Sequence, residues 1–116
     1  MYKNYSEWET IRSADTTAIG TSYADIGSTS AGPIIAAIFK NATNGDVFVT
    51  TDGSNNKLLI PANSYDAWDM QTNHMNFQEN EAALPIGTQF SVKDGPTIGT
   101  SGTFYIEALI VKQTGS

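Results

Sequence analysis

The chain has 116 residues, 40% of them hydrophobic and 16% charged, and a formal net charge of −6. That is room for one domain with one core, too apolar for a disordered chain and too polar for a membrane-embedded one. With no cysteine, disulfides, thiol catalysis and Cys-based zinc sites are excluded, and the Lys and Arg residues stand singly, so no basic stripe points to nucleic acid or to an anionic membrane surface.

Residues 1–7 read as an N-terminal arm ahead of a domain over 8–112 and a polar tail over 113–116. The arm has no apolar stretch of the kind a secretory signal needs, and no apolar run approaches the roughly 20 residues that span a bilayer. Two tyrosines, Tyr2 and Tyr5, sit among polar residues in it. They suit packing, either on the chain's own core or on a neighbouring subunit. Glu7 to Ser13 follows as a first strand, with Trp8, Thr10 and Arg12 on one face. Thr21 to Ile26 reads as a second strand. Gly27 to Pro33 is the clearest loop of the first half.

Pro33 to Asp52 reads as a β-hairpin. Six apolar residues, Ile34 to Phe39, lead through Thr43-Asn44-Gly45-Asp46 into Val47 to Thr51. Asn-Gly between two β-prone runs is a strong short-range hairpin signal, because a type I′ turn needs positive φ at both central residues. The first arm lacks polar alternation, so both of its faces should be covered. Leu58 to Ile60 is a short strand stopped by Pro61, and Ser64 to Met70 resumes extended structure. Gln71 to Ala83 reads as a long loop and a candidate contact region holding His74 and Phe77. Thr88 to Lys93 alternates cleanly, with Thr88, Phe90 and Val92 inward. Thr103 to Lys112 is the last and longest strand. It is apolar on both faces, so it should be central and a neighbour of the Ile34 strand. Seven or eight short antiparallel strands with turn signals between them predict an all-β, single-domain β-sandwich or jelly-roll-like fold.

The chemistry-bearing residues do not assemble into a catalytic pattern. His74 is the only histidine. A Ser-His-Asp reading would borrow Asp66 or Asp69, but no nucleophile-elbow motif accompanies it. Asp52-Gly53-Ser54-Asn55-Asn56 has its glycine second and no closing Glu, which is the wrong order for an EF-hand. The pairs Asp66 with Asp69 and Glu79 with Glu81 read as solvated loop charges rather than glycosidase carboxyls. Asn41-Ala42-Thr43 matches a glycosylation sequon, which reads as accidental without a signal peptide. Tyr65 and Trp68 suggest a sugar platform, but three residues apart on one strand they face opposite ways, so packing is the favoured role. No enzyme activity, cofactor or metal is expected.

The segments Gly45-Asp46-Val47-Phe48-Val49-Thr50-Thr51-Asp52-Gly53, Leu59-Ile60-Pro61-Ala62-Asn63-Ser64, Leu84-Pro85-Ile86-Gly87-Thr88-Gln89-Phe90 and Gly102-Thr103-Phe104-Tyr105-Ile106-Glu107-Ala108 together resemble small β-sandwich structural proteins of tailed bacteriophages. The resemblance covers about Phe39 to Val111 and rests on short, turn-rich motifs; residues 1–30 carry none of it. It implies a non-enzymatic virion component made in the host cytoplasm. The expected role is a capsid decoration or cement protein on the major capsid protein lattice. A head–tail connector or tail component, or a carbohydrate-binding module, is the alternative. Self-association, as a trimer for preference, would match a symmetric capsid site. The expected interface residues are Tyr2, Tyr5, Trp8, His74 and Phe77.

Overall fold

The computed structural model describes residues 3–53, 58–69 and 84–114. Among them the strands are β1 (Lys3–Trp8), β2 (Arg12–Asp15), β3 (Ala24–Asp25), β4 (Ile34–Thr43), β5 (Val47–Thr50), β6 (Leu58–Ile60), β7 (Ser64–Asp69), β8 (Ser91–Asp94) and β9 (Gly102–Thr114), with one 3-10 turn at Thr16–Ala18. One sheet runs β1-β9-β4-β7, with β2 also on β9; the other runs β3-β8-β5-β6. Every pairing is antiparallel. β1 and β2 behave as two halves of one bulged strand. Trp8 faces Leu109 and Arg12 faces Ile106, so four steps along β1–β2 oppose three along β9. Counted so, the described residues form eight strands in the jelly-roll order, each pair nested inside the last: β1/β2 with β9, β3 with β8, β4 with β7, β5 with β6.

That nesting overturns the expected hairpin. β4 and β5 do not pair; they lie in different sheets, and the turn between them is a corner where the chain crosses from one layer to the other. Gly45 does not have positive φ, so the turn is not type I′. The corner needs glycine for another reason: a Cβ on Gly45 would lie 2.1 Å from the Gly99 nitrogen. The opposite corner, Pro61 to Asn63, returns the chain to the first sheet. Asn63 there takes φ 53°, and its N–H donates to the Thr43 carbonyl at 3.1 Å. The two corners are thereby tied together.

The core lies between the sheets. From the first sheet come Ile34, Ala37 and Phe39 of β4 and Phe104, Ile106, Ala108 and Ile110 of β9; from the second come Val47, Val49, Ile60 and Val92, with Phe90 just before β8. Phe39 sits at the centre with no exposed area. Its ring meets Trp68 edge-on at 5.0 Å and Phe90 at 5.9 Å, and burial of such a ring contributes about 2–3 kcal/mol. The unbroken apolar run of β4 has a structural cause. The register shifts between Ile34 and Ala36, so a bulge at Ile35 lets Ile34 and Ala37 both face inward despite their odd spacing. β4 and β9 are neighbours over nearly the whole length of β4, as their two-faced apolar pattern predicts.

Smaller differences from the expected elements share one cause, that regular pairing needs a partner along the whole segment. The second strand shrinks to Ala24–Asp25, and Thr88 to Phe90 lie outside any strand ahead of β8, the Thr88 and Phe90 carbonyls accepting from the Ser30 and Ile26 N–H groups at 2.9 and 3.0 Å. Ser91, expected outward, is buried and donates to Asp25 Oδ1 at 2.9 Å. Residues 3–7 of the arm, with Trp8 of the expected domain, form β1, and β9 runs two residues past Lys112 into the expected tail.

Candidate functional site

The sheets differ in their outward faces. In the first sheet, cross-strand register sets Trp8, Leu109 and Ala36 in one row, Glu107, Ile38 and Ala67 in the next, and Ser13, Tyr105, Lys40 and Tyr65 in a third. Side chains paired across strands share a face. These all point away from the core, whose members alternate with them. Ala36, Ile38, Tyr105 and Leu109 are half-buried by one another, and Ala67 is exposed. Trp8 is 52% exposed and Tyr65 75%. Lys40 and Glu107 pair with each other, Lys40 Nζ lying 2.9 Å from Glu107 Oε2; Asp69 stands opposite Ala36 in register, and Asp15, in a further row with Thr103 and Ala42, accepts from the Thr103 hydroxyl at 2.9 Å. Towards one end the face holds an open depression of about 500 Å³ lined by Ile38, Lys40, Ala42, Asn63 and Tyr65.

The outward face of the second sheet is smaller and partly covered by its own side chains, with Leu59 left 41% exposed. Phe48 lies between Leu59 and Lys93 across the strands. The Lys93 ammonium stands 4.9 Å from the Tyr23 ring centroid and 5.6 Å from that of Phe48, a cation held by two aromatic faces. Burial, and then the charge of Asp52, push the Tyr23 hydroxyl above its ordinary pKa.

The polar groups that the fold buries are consumed internally. Arg12 is 5% exposed. Its Nη2 donates to Glu9 Oε1 at 2.8 Å and to the Ser28 carbonyl at 2.9 Å, its Nε donates to the same carbonyl, and the guanidinium lies 5.4 Å from the Phe90 centroid. Nη1 is buried without a protein partner. Gly27 makes room for this side chain: it has φ 71°, and a Cβ there would meet Arg12 Cγ at 2.4 Å. Glu9 Oε2 accepts from the Ala31 N–H at 2.8 Å. This network ties the β1–β2 bulge to the following loop. Trp8, Ile11, Arg12, Ser28 and Thr29 line a cleft of about 560 Å³ there, but its guanidinium is engaged with Glu9 and Ser28.

At the corner, Asn41 Nδ2 donates to the carbonyls of Gly45 and Ile60, both at 2.9 Å. Asn41 Oδ1 accepts from the Thr43 N–H at 3.0 Å and from its hydroxyl at 2.6 Å. An Asn with no exposed amide is no glycan acceptor, so the sequon at Asn41 is a structural element of the corner. Among the described residues no group of three His, Cys, Asp or Glu side chains could hold a metal ion.

Of the expected interface residues, Tyr5 and Trp8 are on β1, 42% and 52% exposed, but on opposite faces: Tyr5 pairs with Lys112 and Trp8 with Leu109. Only Trp8 joins the apolar outer face. Tyr2, His74 and Phe77 lie outside the described residues. Trp68 packs on Phe39, which takes it out of any platform with Tyr65. Ile38, Tyr65, Tyr105 and Leu109 were not singled out as interface residues. The signal that finds them is the second apolar face of the two central strands. No protein-family model matches the chain, and no curated protein matches it in sequence.

Proposed function

We propose that this domain is a non-enzymatic structural protein of a tailed-bacteriophage virion, a decoration or cement protein that works by covering its five-stranded sheet against another protein surface. The observation that carries the reading is the outer face of that sheet: an apolar surface from Trp8 to Tyr65, in which Lys40 and Glu107 neutralise each other and Asp15 and Asp69 stand at the ends in register. Aromatic residues among aliphatic ones, with a more polar rim, is the composition of a protein interface. Jelly rolls serve as viral capsid and as lectin domains, so the fold leaves function to the surface, and the virion assignment rests on the sequence resemblance. The internal use of Arg12 and Asn41 supports a non-catalytic role. On a shell, many weak contacts of this kind add by multiplicity. The partner is the major capsid protein or another virion protein, and self-association is part of the reading.

The test is co-sedimentation of purified protein with shells assembled from a tailed-phage major capsid protein. Saturable binding that Trp8→Lys weakens by about ten-fold or more supports the reading. Absence of binding to shells, connectors and tails alike overturns it.

A further inference from the structure

We infer that Asn44–Gly45, at the corner between β4 and β5, is a modification site: its deamidation is shut off while the native corner is closed, and the isoaspartate it yields does not fit back into that corner. A glycine after Asn has no side chain to hinder its own nitrogen and a backbone free to reach the ring geometry, so this dipeptide reacts once the chain opens. The Gly45 nitrogen gives up its proton and attacks Asn44 Cγ. The N–Cγ bond forms, the Cγ–Nδ2 bond breaks, and Nδ2 departs as ammonia with that proton. Water then opens the succinimide. Hydrolysis of the new N–Cγ bond leaves aspartate. Hydrolysis of the original peptide bond leaves isoaspartate, whose main chain runs through the side-chain carboxyl and is one methylene longer. Water is the one co-reactant, and nothing is oxidised or reduced.

The closed corner ties down every group the reaction must move. Asn44 Oδ1 accepts from the N–H groups of Thr100 at 2.7 Å and Ser101 at 3.1 Å, and its Nδ2 donates to Thr100 Oγ1 at 2.8 Å. The Asn44 N–H donates to the Ser101 carbonyl at 3.2 Å. Gly45 is buried; its N–H is engaged with Thr43 Oγ1 at 3.2 Å, and its carbonyl accepts from Asn41 Nδ2 and Thr43 Oγ1, both at 2.9 Å. Bringing Cγ on to the Gly45 nitrogen breaks these side-chain bonds, so attack requires local opening of the corner. The same packing rejects isoaspartate. Gly45 lies so close to Gly99 that a Cβ on it would stand 2.1 Å from the Gly99 nitrogen. An added methylene in the main chain must push Gly45 out of this slot or break the Asn44–Ser101 bond. Aspartate meets no such obstacle: its Oδ1 keeps both N–H donors, and the Thr100 hydroxyl can turn to donate to Oδ2.

Incubation of native and urea-unfolded protein at mildly alkaline pH, followed by peptide mass spectrometry, tests the first half. Deamidation at Asn44 should be slower in the native chain by about ten-fold or more. Thr100→Val removes the Nδ2 acceptor at an exposed position and should raise the native rate by about two-fold or more, with the urea-unfolded rate unchanged. Refolding the deamidated mixture and separating folded from unfolded chains by size exclusion tests the second half. Aspartate at position 44 should be recovered in the folded fraction, as should an Asn44→Asp control, and isoaspartate in the unfolded fraction. Equal native and unfolded rates, a native rate indifferent to Thr100→Val, or isoaspartate recovered with the folded chains overturns the inference.

Discussion

In the four-stranded sheet the outward face is partly covered by Lys93, which lies between Tyr23 and Phe48. In the five-stranded sheet the corresponding face holds Trp8, Ile38, Tyr105, Leu109 and Tyr65, with the Lys40–Glu107 pair among them. The sheets share one core, so the contrast does not come from what they bury together. It comes from strand length. β4 and β9 have ten and thirteen residues, whereas β5 and β8 have four each. One lysine stem and its charge can cover a short patch. A long, two-faced apolar pair leaves a larger apolar surface on the outside of its sheet.

The comparison can be broken first at what the sheets share. Phe39→Ala removes the ring that touches both layers and should cost about 3–5 kcal/mol, lowering the urea midpoint of the whole domain in one transition. Next comes the corner. Asn41→Ala leaves the Gly45 and Ile60 carbonyls without their donor and should cost about 1–3 kcal/mol, read by the same urea titration. A smaller change separates the two outer faces. Lys93→Ala opens the back of the four-stranded sheet for about 0.5–1 kcal/mol, whereas Tyr65→Lys on the other back should stay within about 0.5 kcal/mol while altering association.

The gentlest probe is alkaline pH. The hydrogen bond and charge of Glu7 raise the Lys112 pKa, and burial raises that of Tyr23. Both folded values lie above the ordinary ones, so the native state holds these protons more tightly. Their contribution is fully present below about pH 10 and is lost as pH rises through the folded values. Thermal melts should therefore fall off above that pH, less steeply in Lys112→Met and in Tyr23→Phe.

Much of this was legible in the residues. Two-faced apolarity marked β4 and β9 as central neighbours, and alternation set Phe90 and Val92 inward. Turn spacing predicted the sandwich. The Asn44–Gly45 turn misled because a hairpin and a corner use the same residues, and the difference lies in which strands occupy the edges of β4. Those strands, β7 and β9, are remote in sequence, and local propensity does not see them. A cue was present in Asn41 and Thr43: polar residues continuing the inward alternation of Ala37 and Phe39 belong to a buried corner. The proposed interface was half legible. The surplus apolar face on β4 and β9 was visible, but which aromatic residues flank it depends on the register of β1 and β7, which no local pattern fixes.

Site-directed thiol labelling tests the central claim most directly, because the chain has no cysteine of its own. Ala67→Cys reports on the outer face of the five-stranded sheet and Leu59→Cys on that of the four-stranded sheet; both positions are exposed. In assembled samples, whether concentrated protein or protein with capsid shells, the account predicts that Ala67→Cys becomes protected while Leu59→Cys labels at its free rate. Equal labelling at both positions, or protection of Leu59→Cys alone, would contradict it.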